Sequence, residues 1–306
     1  MGESDLERVV VAGGTGLVGR SLVRALVERG VQVMVLTRNP ERSSFPTGAT
    51  AHGWDHLPAL LGGADAVINL AGEGIADRRW SAKRKTALRT SRTDATARLV
   101  GAMRACSDRP SALVNASAIG FYVPRGSDPV DEGSGPGLGF LPEVCQAWEA
   151  EAMQARALGV RVALVRIGVV LAREGGALPK MVQPVRWCMG CKLGSGHQGL
   201  SWIHIDDLVA MLMEAAQNPA WLGVFNGTAP QPLSNEAFTR LLAERLHRPL
   251  LPVPGLLTTA ATKLLLGEMA ETLLLQGAFV VPERSQALGF QFRYPTAVSA
   301  LQDLLP

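Results

Sequence analysis

The sequence predicts a doubly wound parallel α/β sheet followed by a smaller lobe facing its carboxyl edge, on three observations. Short apolar, β-branched runs alternate with helical patterns through the first 170 residues. A glycine-spaced turn joins the first of these runs to the first helix. After about residue 171 the alternation gives way to glycine clusters and shorter elements. Largely apolar runs suit strands buried on both faces, as in a parallel sheet covered by helices.

The runs expected to form strands are residues 9–11, 31–36, 66–70, 112–116 and 160–165, with a weaker strand near 50–53. Between them, helix-period stretches cover 17–29, 83–103 and 142–158. Farther on, Glu174-Gly-Gly-Ala177 and residues 190–199 read as loops. Trp202-Ile-His-Ile-Asp206 reads as a short strand entering a helix capped by Asp206 or Asp207, and Ser234 as the cap of a helix over 235–246. A proline-rich connector from Pro249 leads to helices at 255–267 and 268–276, then Gly289-Phe-Gln-Phe-Arg-Tyr-Pro295 precedes a last helix at 296–305. The expected division is a dinucleotide-binding domain over 1–170, rejoined by 200–227, with 171–199 and 228–306 forming the lobe. An open α/β sheet holds its ligand crevice at the carboxyl edge.

The first junction carries chemistry. Val9-Val-Val-Ala-Gly13-Gly14-Thr15-Gly16-Leu17-Val18-Gly19 spaces three glycines as GxxGxxG, directly after a strand and opening a helix. Gly13 would make the tight turn, Gly16 would admit a pyrophosphate to the backbone, and Gly19 would let helix and strand pack closely. Thr15, Leu17 and Val18 share this turn, whose free N–H groups and helix dipole attract an anion. The second strand ends Thr37-Arg38. Folds that bind NAD place an acidic residue there for the ribose 2′-OH, whereas the planar fork of Arg38 suits a 2′-phosphate. The expected cofactor is therefore NADP(H), the other reading of Arg38 being a solvated surface side chain.

Composition narrows the partners. Lys plus Arg number 30 against 27 Asp plus Glu, a net charge of +3, so nothing favours a nucleic acid. No run approaches the roughly 18–20 apolar residues that span a bilayer, and the polar first eight residues carry no signal-peptide core. Four scattered cysteines do not make a disulfide framework, and Cys188-Met-Gly-Cys191 reads as two ordinary buried thiols. The expectation is a cytoplasmic protein with a small-molecule substrate, no membrane partner and no metal.

The glycine turn, Asn69-Leu-Ala-Gly72, Asn115-Ala-Ser117 and Trp202-Ile-His-Ile-Asp206-Asp207 form an ordered set that resembles the extended short-chain dehydrogenase/reductase superfamily. Arg78-Arg79-Trp80, Ser91-Arg92, Cys145-Gln-Ala-Trp148-Glu149, Gly194-Ser195-Gly196-His197 and Gly289-Phe290 resemble its atypical, sugar-nucleotide-epimerase-like branch, so the likeness spans essentially the whole chain. The resemblance implies a Rossmann fold with NADP(H) along the carboxyl edge. It puts Leu70 and Ala71 against the cofactor, Arg92 near it, Val170 at the nicotinamide end and Ser117 at the substrate-polarising position.

The resemblance also exposes a departure. Family members use a Tyr-xxx-Lys pair, in which the cation lowers the phenol's pKa toward neutrality. Here Leu141 and Cys145 stand at those positions. Tyr122, five residues after Ser117, is the available substitute, as a hydrogen-bond donor or simply as a loop aromatic. His197, His204, Asp206 and Glu73 are further polar candidates, His204 reading as structural. Two functions remain open: an NADP(H)-dependent oxidoreductase or epimerase-like enzyme acting on a small polar or nucleotide-linked substrate, and a non-catalytic NADP(H)-binding sensor.

Overall fold

The computed structural model describes residues 6–305. Seven parallel strands form the central sheet: β1 (Arg8–Ala12), β2 (Gln32–Leu36), β3 (Ala49–His52), β4 (Ala66–Asn69), β5 (Ala112–Ala118), β6 (Arg161–Ile167) and β7 (Gly223–Gly227). Their spatial order is β7-β6-β5-β4-β1-β2-β3. The chain thus runs outward from β1 to β3, then returns across β1 to build the other half. That reversal leaves a crevice between the carboxyl ends of β1 and β4, where open sheets of this kind hold ligands.

The alternation of residues along β1 explains both layers. Val9 and Val11 pack with Leu22 and Leu26 of helix α1 (Leu17–Glu28) and, across the same face, Met211 and Leu212 of a helix at Ile205–Gln217. Val10 and Ala12 turn the other way, toward Leu99 and Met103 of α2 (Ala82–Ala105) and Ala152 of α3 (Phe140–Met153). Each of these side chains is fully buried, and each such aliphatic contributes about 1.5–3 kcal/mol relative to exposure. A continuous apolar strand is stable here because helices cover both of its faces.

The lobe is built from α4 (Leu178–Arg186), α6 (Asn235–Arg245), α7 (Gly255–Leu266) and α8 (Ala297–Leu304), the helix at 205–217 being α5. Its core joins Leu178 and Val182 to Trp202, Phe238, Leu242, Leu301 and Leu304. A short parallel pair, Val169–Leu171 with Trp202–His204, ties it to the end of β6.

Ser234 caps α6 as expected, its hydroxyl accepting from the Ala237 N–H. Four expectations need correction. The cap of α5 is His204, whose Nδ1 accepts from the Asp206 N–H at 3.1 Å; Asp207 instead takes the Arg293 and Tyr294 N–H groups at 2.8 and 3.0 Å. The seventh strand, β7, was hidden because Gly223 and Gly227 bracket a run of only three residues. The segment after Gly267 is one short α-turn, Glu268–Ala270, running into a π-turn, Glu271–Leu275. Finally, Cys188 and Cys191 are only partly buried, and Cys188 holds a left-handed φ of 56°.

Candidate functional site

The glycine turn has the geometry its spacing calls for. Gly13 has φ +81°, and a Cβ there would lie 2.6 Å from the Leu70 carbonyl, so only glycine lets the β1 and β4 loops touch. At Gly19 a Cβ would lie 2.3 Å from the Gly13 oxygen, which fixes how closely α1 packs on the turn. Gly16 differs: with φ −74° it has no backbone need for glycine, and a Cβ would meet only the Gly13 oxygen, at 3.5 Å. The space before it is open. Gly16 is also the N-cap of α1 and brings no side chain to the amides of Leu17, Val18 and Gly19. A helix start with no capping side chain and with open space at its N-cap Gly16 suits a phosphate, although Gly19 itself is packed against the turn. The residues present therefore fit a dinucleotide. Thr15 is exposed on the turn, its carbonyl accepting from Arg20 Nε at 2.9 Å.

The register of β1 with β2 pairs Ala12 with Leu36, which brings Thr37 and Arg38 level with the glycine turn. Thr37 is buried and accepts from the Asn39 N–H at 3.3 Å. Arg38 is exposed and makes no hydrogen bond or ion pair among the described residues, so its guanidinium is available to an anion.

Across the crevice, Leu70 and Ala71 are half-buried. The Leu70 N–H donates to Ala12 O at 2.8 Å and the Ala71 N–H to Asn69 Oδ1 at 3.1 Å. Asn69 is in turn held by buried bonds to Asn115 (2.6 Å) and Thr96 (2.9 Å), which make the β4 loop a fixed wall. Arg92 donates to the carbonyls of Leu88 (2.8 Å) and Glu73 (2.9 Å), clamping the same loop onto α2, and burial lowers its pKa. Val170 is half-buried in the short pair beside the sheet, opposite Ile203.

The two hydroxyls singled out by the sequence belong to one buried network. The Ser117 hydroxyl donates to Glu149 Oε1 at 2.6 Å. Arg166 grips that carboxylate with Nε and a terminal nitrogen, both at 2.8 Å. Its other terminal nitrogen donates to the Tyr122 hydroxyl at 2.9 Å, and Tyr122 donates onward to Asn226 Oδ1 at 2.7 Å. The guanidinium also lies 3.4 Å from the centre of the Phe121 ring. Strand register explains the assembly, because Ser117, Arg166 and Asn226 are direct neighbours across β5, β6 and β7. Both hydroxyls therefore point to protein partners rather than open space: Ser117 is 3% exposed and Tyr122 5%. Burial pushes the Tyr122 phenol up to about 12, with Arg166 opposing in part.

Leu141, Cys145 and Glu149 fall at i, i+4 and i+8 of α3 and are all buried. Leu141 lies against Gly120 and Cys145 against the Ala118 carbonyl, so an apolar surface stands where a Tyr-xxx-Lys pair would. Burial, then the Glu149 charge, push the Cys145 thiol up to about 11. Glu149, Arg166 and Asn226 were missed as site residues. The signal was present: one acid on the apolar face of α3 and one arginine inside an apolar strand are two opposite charges placed where core is expected. Of the other polar candidates, Glu73 pairs with Arg84, His197 is exposed, and His204 is buried and stacked on Tyr294 with ring centres 3.8 Å apart.

Residues 9–226 match the model of the NAD dependent epimerase/dehydratase family, and 258–304 match a domain of unknown function. The chain is 40% identical to the chloroplastic epimerase family protein SDR39U1 homolog of Arabidopsis thaliana, over 97% of this chain and 86% of that one. An epimerase family protein of Staphylococcus saprophyticus is 38% identical, over 98% of this chain and all of its own length. Among solved structures, human epimerase family protein SDR39U1 with NADPH superposes with a TM-score of 0.87 at 34% identity, covering 97% of this chain and 98% of that one. A nucleoside-diphosphate sugar epimerase of Corynebacterium glutamicum gives 0.78 at 32%, covering 99% of this chain and 58% of its own.

Proposed function

The chain belongs to the NAD-dependent epimerase/dehydratase family, and from that premise we propose that it is a cytoplasmic NADP(H)-binding oxidoreductase that acts on a small polar or nucleotide-linked substrate without a Tyr-xxx-Lys pair. The observation that carries the reading is the open approach at Gly16, flanked by amides without a capping side chain and by the free Arg38. A similar structure containing NADPH supports it. When bound, NADPH supplies a hydride.

The chain's own residues divide the remaining work. Leu17, Val18 and Gly19 offer amides to the pyrophosphate, Thr15 borders it, and Arg38 with Thr37 receives the 2′-phosphate. Leu70, Ala71 and Val170 give the cofactor apolar walls, and Arg92 holds the β4 loop at the right height. Ser117 and Tyr122 act as positioning groups. Through Glu149 and Arg166 they lock the ends of β5, β6 and β7 together beneath the reacting centre. The Tyr122 O–H is committed to Asn226 Oδ1 and the phenol is buried, so the proton that joins the hydride on the reduced substrate comes from water rather than from Tyr122.

The test is NADPH absorbance followed against panels of sugar nucleotides, aldehydes and ketones, in wild type and Tyr122→Phe. The reading predicts oxidation with at least one class and turnover in the variant within about fivefold of wild type. A loss of about 10²–10⁴-fold at unchanged NADPH affinity would make Tyr122 the proton donor after all. The closure of both hydroxyls also favours a second reading, a non-catalytic sensor; tight NADPH binding with no oxidation by any acceptor would establish it.

A further inference from the structure

Helix α7 is built inside out. Its threonines face the protein: Thr258 is buried, accepts from the Gly194 N–H at 3.0 Å and donates to Gly255 O at 3.0 Å, and the Thr262 hydroxyl donates to the Thr258 carbonyl. Its leucines face out, with Leu256 81% exposed, Leu257 60%, Leu264 79% and Leu265 69%. Ala260 and Ala261, midway between the two leucine pairs, are exposed as well. A soluble helix ordinarily buries the apolar stripe and wets the polar one.

The stripe has an internal symmetry. Leu256-Leu257, Ala260-Ala261 and Leu264-Leu265 recur every four residues, so they lie along one helical face, and they read the same in both directions about the Ala260–Ala261 bond. We propose that α7 is a self-association surface, on which a second copy of the chain seats its own α7 antiparallel across a two-fold axis at Ala260–Ala261. A two-fold interface must complement itself, and this stripe does. The axis places Leu257 of one copy opposite Leu264 of the other, with Leu256 and Leu265 on the two flanks of the stripe. The small alanines at the crossing let the two backbones approach.

Charge and area agree with a second copy. The one ionised side chain on the helix, Lys263, is tied at 3.3 Å to Glu271 of its own chain, so no like charges meet across the axis. The four leucines expose on the order of 500 Å², near the upper end of what a monomer ordinarily leaves bare. Trp187, Met189 and Leu251 are exposed where the Leu251 N–H meets Gly190 O, next to the helix's amino end. Their exposed area added to that of the four leucines comes to about 800 Å², the share each partner contributes to a standard interface.

Sedimentation velocity of the full chain tests this. Wild type should run at about 65 kDa, twice the 32.5 kDa chain, at micromolar concentration. Leu257→Lys and Leu264→Glu should each weaken association at least tenfold while NADPH binding persists, which shows that the fold is intact. The double variant should regain the dimer, because only the antiparallel arrangement faces each introduced Lys with the partner's introduced Glu. A wild type of 32.5 kDa at every concentration, single variants that stay dimeric, or a double variant that stays monomeric would overturn the proposal. So would leucine-dependent pelleting of a monomer with phosphatidylcholine–phosphatidylserine vesicles.

Discussion

Replacing Arg166 by Met removes the guanidinium at the centre of the Ser117–Glu149–Tyr122 network and keeps the length of the side chain. Three interactions vanish together: the two-nitrogen grip on Glu149, the donor to the Tyr122 hydroxyl, and the cation over the Phe121 ring. What dominates is the partner left behind. Glu149 is 7% exposed and would keep only the Ser117 hydroxyl, so a carboxylate would stand in the core without a counter-charge. Breaking a buried pair this way costs about 3–5 kcal/mol. Adding Glu149→Gln removes the orphaned charge and should recover more than half of that loss, giving a strongly non-additive cycle. Urea unfolding of the wild type, the two single variants and the double variant measures it. The network lies behind the crevice rather than at the glycine turn, so NADPH affinity should change by less than about fivefold, well under 1.4 kcal/mol. An Arg166→Met protein within about 1 kcal/mol of wild type, or strictly additive variants, would show that the network does not hold the strand ends together.

Other perturbations separate binding from folding. Gly16→Val needs no unusual backbone angle and meets almost nothing, so it should fold normally and lose both NADPH and NADH; calorimetry showing normal binding would place the phosphate elsewhere. Gly19→Ala drives a Cβ into the Gly13 carbonyl and should destabilise by about 1–3 kcal/mol in urea; a neutral result would mean that α1 can shift freely. Burial lowers the pKa of His204, against the opposing pull of Asp206, Asp303 and Asp207, so the unfolded chain takes up its proton first. Melting temperature should therefore fall as pH drops below about 6.5, less steeply in His204→Asn; equal slopes would acquit this histidine. Asp207, pushed up by burial, works in the opposite direction, but only toward its own lower range.

The parallel sheet was legible because its strands are apolar on both faces, which two covering helix layers enforce. The glycine turn was legible because Gly13 and Gly19 answer steric demands of the strand–helix junction, while Gly16 leaves the approach to it open. Thr37 and Arg38 followed from the strand that carries them. What escaped depended on long-range register. No local pattern places Ser117, Arg166 and Asn226 in one row, since they come from strands separated by α3 and α5. The cap of α5 is not the expected Asp206 or Asp207: acids suit a helix start, yet His204 precedes them and its ring nitrogen accepts from the Asp206 amide. Likewise α7 reads as an ordinary apolar helix until the structure shows which face is wet.

In the proposed binding mode the Gly16 turn holds the pyrophosphate of either cofactor, and Arg38 makes the preference for NADP(H) over NAD(H). Calorimetric titration of the wild type and Arg38→Ala with NADPH and NADH tests it directly. Wild type should bind NADPH more tightly, by about 1.5–3 kcal/mol for a charge-assisted phosphate contact, and Arg38→Ala should remove most of this difference while leaving NADH affinity in place. Equal affinities for the two cofactors in the wild type would contradict it.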